Sequence, residues 1–230
     1  MENSTAPRGL IVDLITPFKQ GAIDESGLES LLERVVPHAQ ALLLASPRHG
    51  EGESQDFEDL NQDYPTNSVF WVDTPLRYHS NRGLPDYYRE LLAQLKYPLI
   101  LHNDPDCIHA TRAFKRHNIR TAVLKELVRI DGIAGLIFSG SLERAHHYQR
   151  ACRGRQNFRI YDGDEKRFLE HPSMGGVVSV GANLAPGTWE MITQSSIRLH
   201  AHRENYPDRL HHRNPGDVAV RYNRRRQHQI

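Results

Sequence analysis

Residues 133–142 read Ile133-Ala134-Gly135-Leu136-Ile137-Phe138-Ser139-Gly140-Ser141-Leu142, and the chain continues as an amphipathic stretch to Arg153. The first six residues are continuously apolar. Such a run suits a parallel strand covered on both faces, whereas a strand with one wet face alternates. Leu142–Arg153 then reads as a helix, with His146-His147 on the face opposite its apolar residues and turned to solvent. The pair makes one β/α unit. Similar apolar runs stand at Leu10–Ile15, Ala41–Ala45, Val69–Val72, Leu99–Leu101, Phe158–Tyr161 and Val177–Val180. Helical stretches lie between them at Glu25–His38, Pro85–Lys96, Ile119–Arg129 and Glu165–His171. In the first of these Asp24 serves as the cap and Leu28, Leu31, Leu32, Val35 and Val36 form one apolar stripe.

Repeated strand–helix units imply a right-handed parallel α/β sheet, closed as a barrel or doubly wound. No GxGxxG or GxxxxGK[ST] follows a strand, so the commonest phosphate-cradling loops are excluded. The runs number seven. The polar, acidic stretch Glu51–Ser68 is too short for a helix, a strand and a second helix. The expectation is a TIM-type (β/α) barrel with one β/α unit deleted or rebuilt, over residues 1–195. The remainder, 196–230, is expected to be an arginine-rich, poorly ordered tail, interrupted by Pro207, Pro215 and Gly216.

Of 230 residues 38% are hydrophobic and 25% charged, the composition of a soluble globular domain. No apolar run approaches the roughly 18 residues of a membrane span. MENSTAPRG at the start has no apolar h-region, and Cys107 and Cys152 are too few for a disulfide framework, so a cytoplasmic protein without membrane partners is expected. The net charge of +1 is unevenly placed, since residues 196–230 hold eight arginines against Glu204, Asp208 and Asp217. Arg224-Arg225-Arg226 would suit phosphate neutralisation, but no aromatic interleaving or nucleic-acid module accompanies it, so a solvated or subunit-bridging tail is expected and nucleic acid is not.

Four segments, in order, carry a family resemblance. They are Thr16-Pro17-Phe18-Lys19 with Gly21 and Ile23-Asp24; Asp73-Thr74-Pro75; Leu101-His102-Asn103-Asp104-Pro105; and Gly175-Gly176-Val177-Val178-Ser179-Val180-Gly181-Ala182-Asn183 with Pro186. Together they resemble the dihydrodipicolinate synthase and N-acetylneuraminate lyase family, class I aldolase-type (β/α)8 barrels that work through a lysine imine with a 2-oxo acid such as pyruvate. The resemblance implies a lyase ancestry and a homo-oligomer, with no cofactor. It also locates the departures. The imine lysine of the sixth strand matches Ile137, the proton-relaying tyrosine of the fifth matches His102, the paired threonines match Arg48-His49, and the carboxylate-holding arginine matches Cys107.

An imine needs a neutral primary amine at the substrate carbonyl, which isoleucine does not offer. Histidine, with a pKa of about 6.5, can take over proton transfer. The expectation is therefore a divergent member that has lost Schiff-base chemistry, a pseudoenzyme holding a small oxo or carboxylic acid. His102 and His49 are its catalytic-type candidates. Arg48, Asn103, Ser139, Asp164, Ser179 and Asn183 are the binding candidates, and helix or loop capping competes as the role of the last four. Two alternatives stand beside it. One is an active lyase using a relocated lysine, Lys19 or Lys166, or a divalent metal on His102 and His49 with Asp104 or Glu51, though the spacing matches no metal signature. The other is a scaffold acting through the tail or an oligomer surface. Trp71 and Trp189 are expected to fill the layer between sheet and helices.

Overall fold

An extended apolar segment satisfies its backbone groups by pairing with neighbouring strands, and each expected apolar run forms a strand of one parallel sheet. The computed structural model of the protein describes residues 5–44, 69–95, 97–110, 117–172 and 175–204. Arg48, His49, Lys96, Lys115, the stretch 51–68 and residues 205–230 lie outside the described residues.

The strands are β1 (Gly9–Asp13), β2 (Phe18–Lys19), β3 (Ala22–Ile23), β4 (Ala41–Leu43), β5 (Trp71–Asp73), β6 (Leu99–Asn103), β7 (Ile133–Phe138), β8 (Arg159–Asp162) and β9 (Gly176–Ser179). The helices are α1 (Glu25–Val35), α2 (Leu84–Leu92), α3 (Pro105–Ala110), α4 (Thr121–Leu127), α5 (Leu142–Cys152), α6 (Glu165–Glu170) and α7 (Pro186–Glu204). Strands β2 and β3 form an antiparallel hairpin. The other seven make one parallel sheet in the order β4-β1-β9-β8-β7-β6-β5. The sheet curls into a (β/α) half-barrel, and among the described residues β4 and β5 are its edges.

Side chains sort by the period of two. On β1, Leu10 and Val12 pack with Leu31 and Val35 of α1, on the helix-covered face. Ile11 instead joins Ile100, Ala134, Ile137, Tyr161 and Val178, all from strands, on the inner face of the curl. A third cluster joins Leu99, Leu101, Leu136 and Phe138 to Tyr88, Leu124, Leu127 and Tyr148 beneath α2, α4 and α5. Each large side chain so buried stabilises the fold by about 1.5–3 kcal/mol. Trp71 and Trp189 pack against the two helix-side clusters as expected. At the amino ends the strands approach so closely that a Cβ on Gly176 would stand 1.8 Å from the Gly9 carbonyl oxygen, and both glycines have positive φ.

Asp24 caps α1, accepting the Gly27 N–H at 3.2 Å. The expected stripe differs at Val36, which is 52% exposed in the 3-10 turn Val36–His38, because Pro37 ends the α-helix and turns its neighbour outward. Two helical segments were not expected. Helix α3 starts on Pro105, well suited to a first helical turn. Helix α7 runs through Ser195 to Glu204, since neither proline nor glycine interrupts residues 188–204 and the next breaker is Pro207. The chain divides into two compact units, Met1–Ile197 and Arg198–Ile230. No described helix is long and apolar enough to cross a membrane.

Candidate functional site

The carboxyl ends of parallel strands are where such barrels build sites, because loops of several units converge there. On β6 the inner face carries Ile100 and then His102, which is 5% exposed. His102 stands in register with Ile137 of β7, and Ile137 in register with Tyr161 of β8. In a parallel sheet registered neighbours face the same side, so His102, Ile137 and Tyr161 form one row across the inner surface. Ile137 is 2% exposed and belongs to the inner apolar cluster.

Three buried side chains, Thr74, Ser139 and Asp13, complete the polar part of this wall. Thr74, two residues beyond the inner-facing Val72, is buried and places Oγ1 3.0 Å from His102 Nδ1. Either atom can donate, depending on the imidazole tautomer; the bond fixes the ring's rotation in both cases. Ser139, two residues beyond Ile137, is 6% exposed. A Cβ added at Gly163 would lie 2.5 Å from Ser139 Oγ and 3.3 Å from Ile137 Cγ2, so the turn after β8 presses directly on both. Asp13 ends β1 on the inner face and is 2% exposed.

The remaining sequence-chosen residues serve other contacts. Asn103 faces the helices: its Oδ1 accepts the Ile119 N–H at 2.7 Å and its Nδ2 donates to Asn118 Oδ1 at 3.1 Å. Ser179 also lies on the helix side, donating to Glu165 Oε1 at 2.5 Å and accepting the Ala182 N–H at 3.0 Å. Asn183 ties the turn after β9 to the end of β1, donating to the carbonyls of Asp13 and Val180 at 2.7 Å each and accepting the Ile15 N–H at 3.3 Å. Asp164 is exposed and caps α6 through the Arg167 N–H at 3.1 Å. The structure thus brings His102 and Ser139 to the inner wall with Ile137, and leaves Asn103, Asp164, Ser179 and Asn183 as clamps and caps. Cys107, at the carboxylate-arginine position, lies on α3, whose first turn is capped by Asp104 Oδ1 through the Asp106 and Cys107 N–H groups.

Sequence reading passed over Thr74 as a site residue, although it ends a run with the inward period of Val72. It also passed over the buried pair Asp162–Arg167. Arg167 donates from Nε to Asp162 Oδ2 at 3.0 Å and from Nη2 to Asp162 Oδ1 at 2.5 Å, and its other bonds reach the carbonyls of Phe138 and Gly140. Burial pushes the Asp162 carboxyl upward from its usual range, opposed by Arg167. At the edge strand, Asp73 Oδ2 accepts the phenols of Tyr78 at 2.5 Å and Tyr88 at 2.7 Å; burial and the Asp73 charge push both phenol pKa values well up. Lys19, Lys125 and Lys166 are exposed, and no group of three metal-ligating side chains occurs among the described residues.

Comparison with known proteins agrees with this fold. The profile of the Dihydrodipicolinate synthetase family matches residues 53–198. The 4-hydroxy-tetrahydrodipicolinate synthase of Syntrophus aciditrophicus is 25% identical over 217 residues, covering 78% of this chain and 72% of that protein. That of Bdellovibrio bacteriovorus is 21% identical over 217 residues, with 78% and 71% covered. Among solved structures, dihydrodipicolinate synthase from Acinetobacter baumannii complexed with pyruvate superposes with a TM-score of 0.65 at 21% identity, over 84% of this chain and 77% of that one. The Thermotoga maritima enzyme gives 0.64 at 16% identity, over 86% and 81%.

Proposed function

Because the chain belongs to the dihydrodipicolinate synthetase family, we propose that it is a divergent member whose imine-forming lyase chemistry is lost and whose strand-end pocket holds a small oxo or carboxylic acid. The observation that carries this reading is the place of Ile137. It stands on the inner wall beside His102, where the family resemblance puts the nucleophilic lysine, and its side chain is buried among Ile100, Tyr161 and Val178. An alkyl group there can pack against a ligand but cannot attack a carbonyl carbon. The lysines that the structure describes are exposed, on the β2–β3 hairpin, α4 and α6, whereas Ile137 is buried.

What remains is suited to holding a polar ligand. The Thr74–His102 pair offers a hydrogen-bonded imidazole that can donate to or accept from a keto oxygen, and Ser139 offers a hydroxyl. Arg48 is proposed to hold the ligand carboxylate, with His49 next to it in sequence, and the protein is proposed to act in the cytoplasm as a homo-oligomer with the arginine-rich stretch beyond α7 as a solvated extension.

Borohydride reduction of the protein in the presence of pyruvate, read by intact mass and peptide mapping, tests the reading. The expected result is no pyruvyl adduct, together with a pyruvate-dependent rise in thermal midpoint. An adduct on any lysine, Lys19 or Lys166 included, would establish the rival reading of a working lyase with a relocated amine.

A further inference from the structure

Arg167 is 9% exposed, the third residue of the short helix α6, and nothing about its sequence neighbourhood marks it as functional. Its guanidinium nevertheless reaches across two loops. Nε and Nη2 fork onto the two oxygens of Asp162 at 3.0 and 2.5 Å, at the carboxyl end of β8. Nη2 also donates to the Phe138 carbonyl at 2.6 Å, and Nη1 donates to the Gly140 carbonyl, so the same group grips the turn after β7. The guanidinium carbon sits 4.9 Å from the centre of the Phe138 ring. Asp162 Oδ1 accepts the Asp164 N–H at 3.0 Å, and the Gly163 N–H donates to the Phe138 carbonyl at 2.9 Å. One ion pair therefore fixes residues 138–140 and 162–164 against each other.

Those two turns flank the site wall. Ser139 and Ile137 come from one and Gly163 from the other, and the space between them would not admit a methyl group. A wall this close is altered by displacements of a few tenths of an ångström. A buried ion pair is a poor device for stability alone, because desolvation offsets most of the attraction and an apolar pair of similar volume often serves as well. A planar five-donor fork is, however, well suited to holding carbonyls of two different turns at fixed positions. Four of the fork's five N–H donors are engaged by Asp162 and the Phe138 and Gly140 carbonyls, so Arg167 is committed to the two turns and does not take the role of a carboxylate-binding arginine.

We propose that Arg167, through Asp162 and the Phe138 and Gly140 carbonyls, is the positioning residue of the candidate site, setting the spacing of the turns that carry Ile137, Ser139 and Gly163. Its relevance to a ligand rests on the proposed function; the positioning itself does not. The test uses the full chain and two variants, the volume-matched double substitution Asp162→Leu/Arg167→Met and the single Arg167→Lys, which keeps the charge but not the fork. Thermal midpoints are measured beside hydrogen exchange of peptides over residues 137–141 and 162–166, with and without pyruvate. The double variant is expected to melt close to the parent while both peptides exchange about tenfold faster and the rest of the chain is unchanged. Parental exchange in both peptides would overturn the proposal, as would a rise spread over the whole chain with a lowered midpoint, the mark of a merely structural pair. If the double variant does not fold, Arg167→Lys decides: faster exchange confined to the two peptides supports the proposal and parental exchange overturns it. Absence of any pyruvate effect in the parent protein would count against the ligand reading alone, because the comparison of turns needs no ligand.

Discussion

Replacing Ile137 with lysine tests the direction in which this side chain points. Ile137 is 2% exposed and surrounded by Ile11, Ile100, Ala134, Tyr161 and Val178 on the inner face. An ammonium introduced there loses its hydration among these apolar neighbours. Burial of this kind lowers a lysine pKa by about three units from its usual value of about 10.4. At about 1.4 kcal/mol per unit, the folded state of Ile137→Lys is destabilised by about 4 kcal/mol at neutral pH. The sign follows from linkage: the folded pKa is the depressed one, so the unfolded chain binds the proton more readily. The penalty is absent above about pH 10.4, grows as pH falls, and levels off below the folded pKa near 7. Ile137→Met is the reference, a volume-conserving change costing less than about 1.5 kcal/mol with no titration of its own. Urea denaturation of both variants from pH 6 to pH 10 gives the difference directly, since every other group titrates equally in the two. A difference that stays flat across that range would mean that the side chain reaches water, and the inner-wall assignment would fall.

Thr74→Val leaves the His102 Nδ1 without the hydroxyl 3.0 Å away, in a buried setting, and should cost about 1–3 kcal/mol in chemical denaturation; a loss under about 0.5 kcal/mol would deny the bond its structural weight. Gly176→Ala drives a methyl into the Gly9 carbonyl at 1.8 Å with φ at +132°, and should lower stability by more than about 4 kcal/mol or abolish soluble expression. Burial raises the Cys152 thiol from 9.0 to about 12 and the Tyr148 phenol from 10.0 to about 12. Both folded values lie above the unfolded ones, and both groups are neutral when protonated. Their contribution is therefore complete below pH 9.0 and declines as pH rises from there toward 12, so the melting temperature should fall through that window, and Cys152→Ala should make the fall shallower. Native-state alkylation near pH 8 should leave Cys152 unlabelled.

The residues that the sequence made conspicuous and those that the fold makes consequential overlap only partly. Ile137 and His102 were legible because the family resemblance aligns both with functional positions of its strands, and the register pairs them on one wall. Asn103, Ser179 and Asn183 stood in the same motifs, yet each is one residue out of phase with the inner face or beyond the strand, and each is bound to backbone or helix partners. A one-residue offset turns a side chain to the other side of a sheet, and motif resemblance does not register that difference. The helical run past Ser195 was missed because Pro207, Pro215 and Gly216 were read as interrupting the whole stretch from residue 196, although the first of them stands beyond Glu204.

Continuous apolar runs spaced by amphipathic stretches were enough to determine seven parallel strands and the helices α1, α2, α4, α5 and α6, since local burial on both faces and helical periodicity are properties of neighbouring residues. The exchange of an amine for an alkyl chain at residue 137 was likewise visible without coordinates. Which side chains share a wall was decided only by tertiary structure. The Thr74–His102 bond spans 28 residues and the grip of Arg167 on Phe138 spans 29, and contacts between different strands depend on the register and curl of the whole sheet, which no local pattern contains.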